Sequence, residues 1–400
     1  MEWKELHTLV KRNIGYGIVQ PGPSVPKGVP IIKVNNIISG LYDTKHLDKT
    51  TVDNDAKYQR TKLKGGELIV TVVGTCGKTA IVPTHFAGCN LVRATCLIDI
   101  EDETICRWIK YYIDSPYGQA YINRNLNTTV QATLNVKNLN EMPIPFYSKE
   151  YTSNVVKILS SLDRKIELNN KINADLEEMA QAIFKNWFVD FEPFKDGKFV
   201  DSELGMIPEG WRVGRLTDIA SYMNGLAMQK FPPENLVDSL PVLKIKELGQ
   251  GFCGVDCDRC SCDIKNEYKI HNGDVIFSWS GTLMIDIWCG GDCGLNQHLF
   301  KVTSNDYPKW FFYYWTKHHL KEFIHIAKDK AVTMGHIKRG HLEEALVAIP
   351  DEKPMKEADN LLEPILNKII SLRLESTHLS ALRDTLLPRL MSGEIEIIEH

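Results

Sequence analysis

Two distant segments of the chain place hydrophobic residues alternately three and four positions apart, as along one face of a coiled-coil helix. They occupy residues 150–192 and 356–392. Polar residues interrupt each stripe near its middle, with Asn169 and Asn173 in the first segment and Ser376 in the second. We expect two long helices that pair antiparallel, with these polar residues opposed and fixing the register. The predicted seam residues are Leu159, Leu162, Ile166, Leu176, Ile183, Ile369, Leu372, Leu379 and Leu386.

Outside these helices the chain repeats itself after about two hundred residues. PIIKVNNIISG from Pro30 matches PVLKIKELGQG from Pro241, and GGELIVTVVGT matches NGDVIFSWSGT. RWIKYYI with KWFFYYW, and MPIP with VAIP, follow in the same order. Short apolar runs bounded by Gly and Asn predict strands, and the aromatic stretches at 107–122 and 309–326 predict helices.

This order predicts an α+β fold with two globular units in pseudo-twofold repeat, separated by two long antiparallel coiled-coil helices. The expected boundaries follow the changes of pattern. They give a first globular domain at residues 1–149, a central spacer helix at 150–192, a linker at 193–208, a second globular domain at 209–352 and a C-terminal spacer helix at 356–392.

The arrangement and three motifs resemble the specificity subunit of type I restriction-modification systems. The motifs are IPEGWRVGRLTDIA from Ile207, AIFKNWFVDFEPF from Ala182 and the closing LRDTLLPRLMSGEI. The resemblance covers essentially the whole chain. It implies that the globular units are target-recognition domains for a split DNA sequence, and that the chain itself neither cuts nor methylates. The first unit departs from the pattern, because its opening MEWKELHTLV is shorter than EGWRVGRLTDIA.

The resemblance also implies partners. They are double-stranded DNA, two methylase (modification) subunits on the outer face of the helix pair, and restriction subunits. S-adenosylmethionine, ATP and Mg are expected on those subunits, and no cofactor on this chain. The alternative interpretation is a non-catalytic coiled-coil adaptor whose globular units bind protein. No apolar run reaches 18 residues and the N-terminus lacks a signal peptide, so we expect a cytoplasmic protein without membrane contact.

No sequence motif indicates catalysis. VGTCGKT resembles a phosphate-binding loop, but such a loop needs glycine five residues before Gly77, where Val72 stands. Its repeat partner SGTLMID has no GKT, which favours a strand, a turn and a strand. The chain also lacks the GxSxG and HExxH motifs and the tetrapeptide with which an amino-methyltransferase holds its target nitrogen. We therefore expect a protein that is not an enzyme.

Six of the ten cysteines are close together in the second unit. CGVDCDRCSC contains Cys253, Cys257, Cys260 and Cys262, and CGGDC adds Cys289 and Cys293. Two of these pairs have the spacing of a tetrahedral zinc site. The first unit has no matching cysteines, so we favour reduced thiols and no metal, with zinc as the alternative.

The net charge of −4 does not make the whole surface attractive to DNA. Positive charge is concentrated locally, since residues 301–341 contain eight Lys and Arg against three Asp and Glu. A phosphate-facing surface requires such an excess, but ordinary surface scatter also produces it. Charge alone leaves both interpretations open.

DNA-reading groups are expected at equivalent places in both units, because Lys and Arg neutralise phosphates whereas amides and hydroxyls address base edges. Dense polar stretches begin at Asn123 and Ala327, and a predicted strand carries Lys33, Asn35 and Asn36. The candidates in the first unit are Lys33, Asn35, Asn36, Thr75, Lys78, Thr79, Arg124, Asn127, Thr129 and Gln131. Those in the second unit are Lys244, Lys246, Ser280, Thr282, Lys328, Lys330, Thr333, His336 and Lys338.

Overall fold

The structure is a computed structural model with two compact units. It describes the chain except for residues 40–43, 45, 129–130, 330–334 and 396–400. Unit 1 comprises Met1–Arg164 and Ser380–His400, and unit 2 comprises Lys165–Leu379. Each unit therefore combines a globular part with segments of both long helices.

Unit 1 is built from short strands and short helices. Its strands are β1 (Glu2–Glu5), β2 (Gly15–Tyr16), β3 (Val29–Ile32), β4 (Lys49–Thr50), β5 (Leu68–Thr71), β6 (Thr79–Ile81), β7 (Asn90–Leu91), β8 (Thr95–Ile98), β9 (Leu126–Asn127), β10 (Thr133–Leu134) and β11 (Pro143–Phe146). Its helices are α1 (Val34–Ser39), α2 (Val52–Ala56), α3 (Glu103–Asp114), α4 (Pro116–Arg124) and α5 (Val136–Asn140), followed by the long helix α6 (Lys149–Phe188).

Unit 2 has a corresponding set of elements. Its strands are β12 (Phe199–Ser202), β13 (Gly205–Pro208), β14 (Arg212–Arg215), β15 (Ser221–Asn224), β16 (Ser239–Leu243), β17 (Arg259–Ser261), β18 (Lys269–Ile270), β19 (Val275–Ser278), β20 (Met284–Ile287), β21 (Cys293–Leu295), β22 (Leu299–Thr303) and β23 (Leu346–Ile349). Its helices are α7 (Leu216–Ile219), α8 (Ile245–Gln250), α9 (Lys309–Asp329) and α10 (Arg339–Glu344), followed by the long helix α11 (Glu352–Met391).

The two units contain the same pair of sheets. An antiparallel four-stranded sheet has the order β2-β8-β5-β6 in unit 1 and β15-β22-β19-β20 in unit 2. A second, mixed sheet has the order β4-β3-β7 in unit 1 and β17-β16-β21-β18 in unit 2. In that sheet β3 pairs parallel with β7, and β16 pairs parallel with β21. The sequence repeat is therefore a repeat of topology, and the predicted α+β class is confirmed.

The predicted helix at 107–122 is in fact two helices, α3 and α4. Pro116 cannot continue α3 because its ring supplies no N–H. Ser115, between the two helices, caps α4 by accepting a hydrogen bond from Gly118 N. Asp102 caps α3 by accepting from Thr104 N and Ile105 N. The corresponding stretch of unit 2 has no such interruption and forms the single helix α9.

A fully buried tryptophan lies in the core of each unit. Trp108 in α3 donates through Nε1 to Pro145 O at 2.7 Å, and Trp310 in α9 donates through Nε1 to Asp359 Oδ1 at 2.7 Å. Both are 0% exposed, and each packs in the main apolar core of its unit. Because each indole N–H has a partner, the rings are buried without an unsatisfied donor.

The long helices pack together antiparallel. In unit 1 the early residue Leu159 of α6 shares a core with the late residue Leu390 of α11. In unit 2 the late residue Phe184 of α6 shares a core with the early residues Leu362 and Leu366 of α11. Although each helix has 40 residues, no helix in the described part of the chain is long and apolar enough to cross a membrane.

The middle of the helix pair, in unit 2, is polar and incompletely hydrogen-bonded. Asn169 is fully buried, and its Nδ2 donates to Glu375 Oε2 at 2.8 Å. This bond, together with Lys165, lowers the pKa of Glu375. Among the described residues, Asn169 Oδ1, both polar atoms of Asn173 and Ser376 Oγ are buried without a partner. Asn169 thus bonds to Glu375, the neighbour of Ser376. The buried polar atoms that lack a partner lower the free energy of unfolding.

We predict that Asn173→Leu stabilises the protein. The substitution removes two buried polar atoms that have no partner and adds apolar contact, so the free energy of unfolding should rise by about 1 kcal/mol. Thermal or urea unfolding of the purified chain measures the midpoint. Asn170→Leu, at an exposed neighbouring position, is the control and should leave the midpoint unchanged. A lower midpoint for Asn173→Leu would show that this amide has a stabilising partner.

Candidate functional site

Two hairpins occupy equivalent places in the two units. They are β5–β6, with the turn 72–78, and β19–β20, with the turn 279–283. We call them the edge hairpins, because β6 and β20 are the last strands of their four-stranded sheets. The strand, turn and strand expected at VGTCGKT are confirmed by β5, its turn and β6.

In unit 1 the edge hairpin brings together three of the predicted site residues. Gly74 N donates to Ala132 O at 2.8 Å, which holds the turn against the segment that contains Gln131. Gly74 has a φ of 78°, a left-handed conformation that favours glycine. Thr75, Lys78 and Gln131 are exposed around this contact. Lys78 also lines a cavity with Gln119 and Arg383.

In unit 2 the edge hairpin pairs in the same way with the segment after α9. Gly281 N donates to Gly335 O at 2.9 Å, and Ile337 N donates to Trp279 O at 3.0 Å. Ser280 and His336 face each other across this pairing. These two predicted site residues are therefore neighbours.

His298 lies between the edge hairpin of unit 2 and two other predicted site residues, Lys244 and Lys246. Its Nδ1 lies 3.1 Å from Ser280 Oγ. His298 also lines a cavity of about 640 Å³ together with Lys244, Lys246 and Gln297. The cavity wall is thus rich in basic and amide groups, the types that bind phosphates and base edges.

Gln297 and His298 in unit 2, and Arg93 in unit 1, were not among the DNA-reading candidates predicted from the sequence. Arg93 is exposed in the turn between β7 and β8, and its neighbour Ala94 accepts a hydrogen bond from Val72 N at 2.8 Å. The turn between β21 and β22 carries Gln297 and His298 at the equivalent place. These residues could have been found from the sequence, because polar residues interrupt two apolar runs at this point of both repeats.

The predicted strand carrying Lys33, Asn35 and Asn36 is wrong. Strand β3 ends at Ile32, and both asparagines lie on α1. Asn36 Oδ1 accepts a hydrogen bond from Lys33 N at 2.8 Å, which turns the backbone into the helix. In unit 2, Lys246 likewise lies on a helix, α8.

The same ion pair occurs in both units. Lys33 Nζ lies 2.5 Å from Asp48 Oδ2 in unit 1, and Lys244 is paired with Asp258 in unit 2. The hydrogen bond from Lys33 is the main cause that lowers the pKa of Asp48. Each aspartate orients its lysine and offsets part of its charge, so Lys33 and Lys244 are weaker anchors for a phosphate than an unpaired lysine.

Several other predicted residues lie apart from these clusters. Thr79 Oγ1 donates to Asp114 Oδ1 at 2.6 Å, so it faces α3. Arg124 ends α4 and lines a cavity with Trp3 and Tyr117. Lys328 lies in the last turn of α9, and Lys338 lies before α10. Two candidates do belong to the clusters: Thr282 is in the turn of the edge hairpin of unit 2, and Asn127 in β9 pairs with Thr133, which pairs with Val73 of the edge hairpin of unit 1. Thr129, Lys330 and Thr333 lie outside the described residues.

Comparison with known proteins gives the family. A sequence model of the family "Type I restriction modification DNA specificity domain" matches residues 23–178 and 208–375. The chain belongs to this family. The match selects the DNA-specificity interpretation over the adaptor, and makes the chain a non-catalytic specificity subunit of a type I restriction-modification system.

Individual relatives agree with the assignment. The chain is 29% identical over 317 residues to the type I restriction enzyme MjaIX specificity subunit of Methanocaldococcus jannaschii, covering 75% of this chain and 71% of that protein. It is 30% identical over 197 residues to the EcoBI specificity subunit of Escherichia coli, covering 47% and 41%. The crystal structure of a type I restriction-modification S subunit from M. genitalium has the same fold, with a TM-score of 0.55, 14% identity, and coverage of 97% of this chain and 95% of that one.

In unit 2 of this specificity subunit, Cys253 lies in contact with both Cys257 and Cys293. Among the residues that the structure describes, no group of three or more His, Cys, Asp or Glu side chains is placed to hold a metal ion. Burial raises the pKa of Cys257 and of Cys289 to about 11 each, whereas contact with Cys293 lowers the pKa of Cys253. Cys257 Sγ donates to Val242 O at 3.1 Å.

We predict that the purified specificity subunit contains well below one equivalent of zinc, because no group of its described His, Cys, Asp and Glu side chains is placed to hold a metal ion. Inductively coupled plasma mass spectrometry of protein purified without chelator measures the content. Cys76→Ser, in unit 1, is the control for Cys257→Ser. One equivalent of zinc that Cys257→Ser alone removes would prove the opposite.

Proposed function

We propose that each unit of this specificity subunit reads one half of a split target in double-stranded DNA. The reading surface consists of the edge hairpin, the segment paired with it, the polar turn beside it and the short helix α1 or α8. What supports this is the recurrence of one construction in both units, with phosphate-binding and base-reading side chains at equivalent places. The corresponding target-recognition domains are residues 1–149 and 209–352, which end where α6 and α11 begin.

Within each surface the side chains divide by chemistry. Exposed lysines, Lys78 in unit 1 and Lys246 in unit 2, suit contacts to phosphates. Amide, hydroxyl and imidazole groups suit base edges. These are Asn35, Thr75 and Gln131 in unit 1, and Gln297, His298 and His336 in unit 2. The guanidinium of Arg93 in unit 1 suits a base edge as well, whereas Ser280 is buried and supports His298.

The two surfaces should read different sequences. Where unit 1 has Arg93, unit 2 has Gln297, and these side chains prefer different bases: arginine pairs with guanine and glutamine with adenine. The ion pairs Lys33–Asp48 and Lys244–Asp258 are shared, so they belong to the common scaffold rather than to the sequence read.

The helix pair serves as the spacer and the docking surface. A helix of 40 residues extends about 60 Å at about 1.5 Å per residue. Its surface includes exposed apolar side chains, Leu168 and Met179 on α6 and Leu361 and Leu382 on α11. Such residues suit protein contact, and we assign them to two methylase subunits, with restriction subunits completing the complex. S-adenosylmethionine, ATP and Mg then belong to those partner subunits.

We predict that the purified chain neither methylates nor cleaves DNA. Methylation should appear when the partner methylase and S-adenosylmethionine are added, and only at a bipartite sequence. Sequencing of modified bases in plasmid DNA measures it, with the methylase alone as the control. Methyl transfer by this chain without the methylase would contradict the assignment, and methylation at a continuous, undivided sequence would contradict the two-surface proposal.

Two substitutions in unit 2 should separate phosphate contact from base reading. Lys246→Gln should weaken binding to all sequences and reduce the slope of log affinity against log salt by about one. Gln297→Ala should leave the salt slope unchanged and remove about 1–3 kcal/mol of discrimination at one half-site. Fluorescence anisotropy of the assembled complex on short duplexes measures both.

The control for these variants is Lys321→Gln, an exposed position on α9 outside the proposed surface. It should change neither quantity. If Gln297→Ala alters discrimination at both half-sites equally, the assignment of one half-site to each unit is wrong.

A further inference from the structure

An arginine of α11 holds the edge hairpin of unit 2 from the side of the helix pair. Arg373 Nη1 donates to Asp286 Oδ1 at 2.7 Å and to Ile287 O at 3.1 Å. Both acceptors belong to β20, the strand that leaves the turn carrying Ser280 and Thr282. The contact therefore joins the helix pair to the strand directly behind the proposed reading surface.

The Arg373–Asp286 pair is partly withdrawn from water. The two side chains are 31% and 34% exposed. Burial opposes the charge of Arg373, but the Asp286 carboxylate outweighs it and raises the arginine pKa. The guanidinium makes two directed contacts from one nitrogen, which fixes the position of the strand more closely than a lysine ammonium would.

In unit 1 another arginine of α11 reaches the equivalent strand through a chain of polar contacts. Arg383 Nη1 lies 2.9 Å from Asp163 Oδ1 on α6. Asp163 Oδ2 lies 3.8 Å from Lys110 Nζ, which lies 2.9 Å from Asp114 Oδ2 on α3. Asp114 Oδ1 accepts from Thr79 Oγ1 at 2.6 Å. Thr79 is the first residue of β6, the strand that leaves the turn.

Both chains of contacts thus end on the edge strand of the edge hairpin. An edge strand has a backbone partner on one side only, so backbone hydrogen bonds do not restrain its other side. In this protein the side chains from the helix pair supply that second restraint. A small displacement of the strand moves the turn, and base reading depends on placing donors and acceptors to within a fraction of an ångström.

We propose that Arg373 and Arg383 are positioning residues for DNA recognition, each setting the edge hairpin of its own unit and thereby the fidelity of one half-site. The proposal rests on the proposed function, because it assumes that the edge hairpins read DNA. Loss of either arginine relaxes base discrimination at one half-site. It leaves the number of phosphate contacts, and so the salt dependence of binding, unchanged.

The experiment uses the complex assembled with the partner methylase. The half-site that belongs to unit 2 is first identified by replacing residues 209–350 with the equivalent segment of a relative. If this replacement changes neither half-site, the proposed function itself is wrong. Arg373→Gln and Arg383→Gln are then assayed for methylation of duplexes with single-base changes in either half-site. Arg373→Gln should reduce the preference for the correct base about tenfold at the half-site of unit 2 only. Arg383→Gln should do the same at the half-site of unit 1.

Each arginine variant is the control for the other, and Lys165→Gln is a control for both. Lys165 lies 3.3 Å from Glu375 within the helix pair, so its loss changes charge without breaking either chain of contacts. Asp286→Asn and Asp114→Asn, which keep the side-chain volume, should give smaller losses at the half-sites of units 2 and 1. They also test the proposal if an arginine variant does not fold. Folded variants with unchanged preference, or with equal losses at both half-sites, would overturn it.

Discussion

The antiparallel packing of α6 on α11 is the interaction on which both units depend. A single helix of this length in water is stabilised mainly by burying its apolar face, and each of these helices has only the other helix and the globular parts as cover. The helices also complete the cores they cover, with Leu159 and Leu390 in unit 1 and Phe184 and Leu362 in unit 2. Weakening the pair therefore exposes apolar surface in the globular parts as well as along the seam.

The elements with a strong local period could be predicted from the sequence, and those formed by distant segments could not. The long helices follow from the spacing of residues such as Leu159 and Leu372, and their antiparallel order was inferred from the polar residues near the middle of each stripe. Gln297 and His298 were missed because they reach the site through the parallel pairing of β16 with β21, which no local pattern reveals. Asn36 was placed on a strand, whereas its Oδ1 accepts a hydrogen bond from Lys33 N at the start of a helix.

The two units show how one scaffold can carry different surfaces. Sheet order, the Lys–Asp pair and the buried tryptophan are common to both. The side chains of the turns differ, and so does the route by which the helix pair reaches the edge hairpin. Such a division lets the exposed turns change while the packing underneath stays the same, because turn residues contribute little to the core.

Unit 1 is assembled from the two ends of the chain, and this has a consequence for synthesis. More than two hundred residues separate Asp163 from its partner Arg383 and from the apolar residues Leu387 and Leu390. At roughly 5–20 residues per second, a ribosome needs roughly ten to forty seconds to make that stretch. During this interval the early part of α6 and the core it covers lack their final cover. The nascent protein must stay soluble during this interval with an apolar stripe exposed.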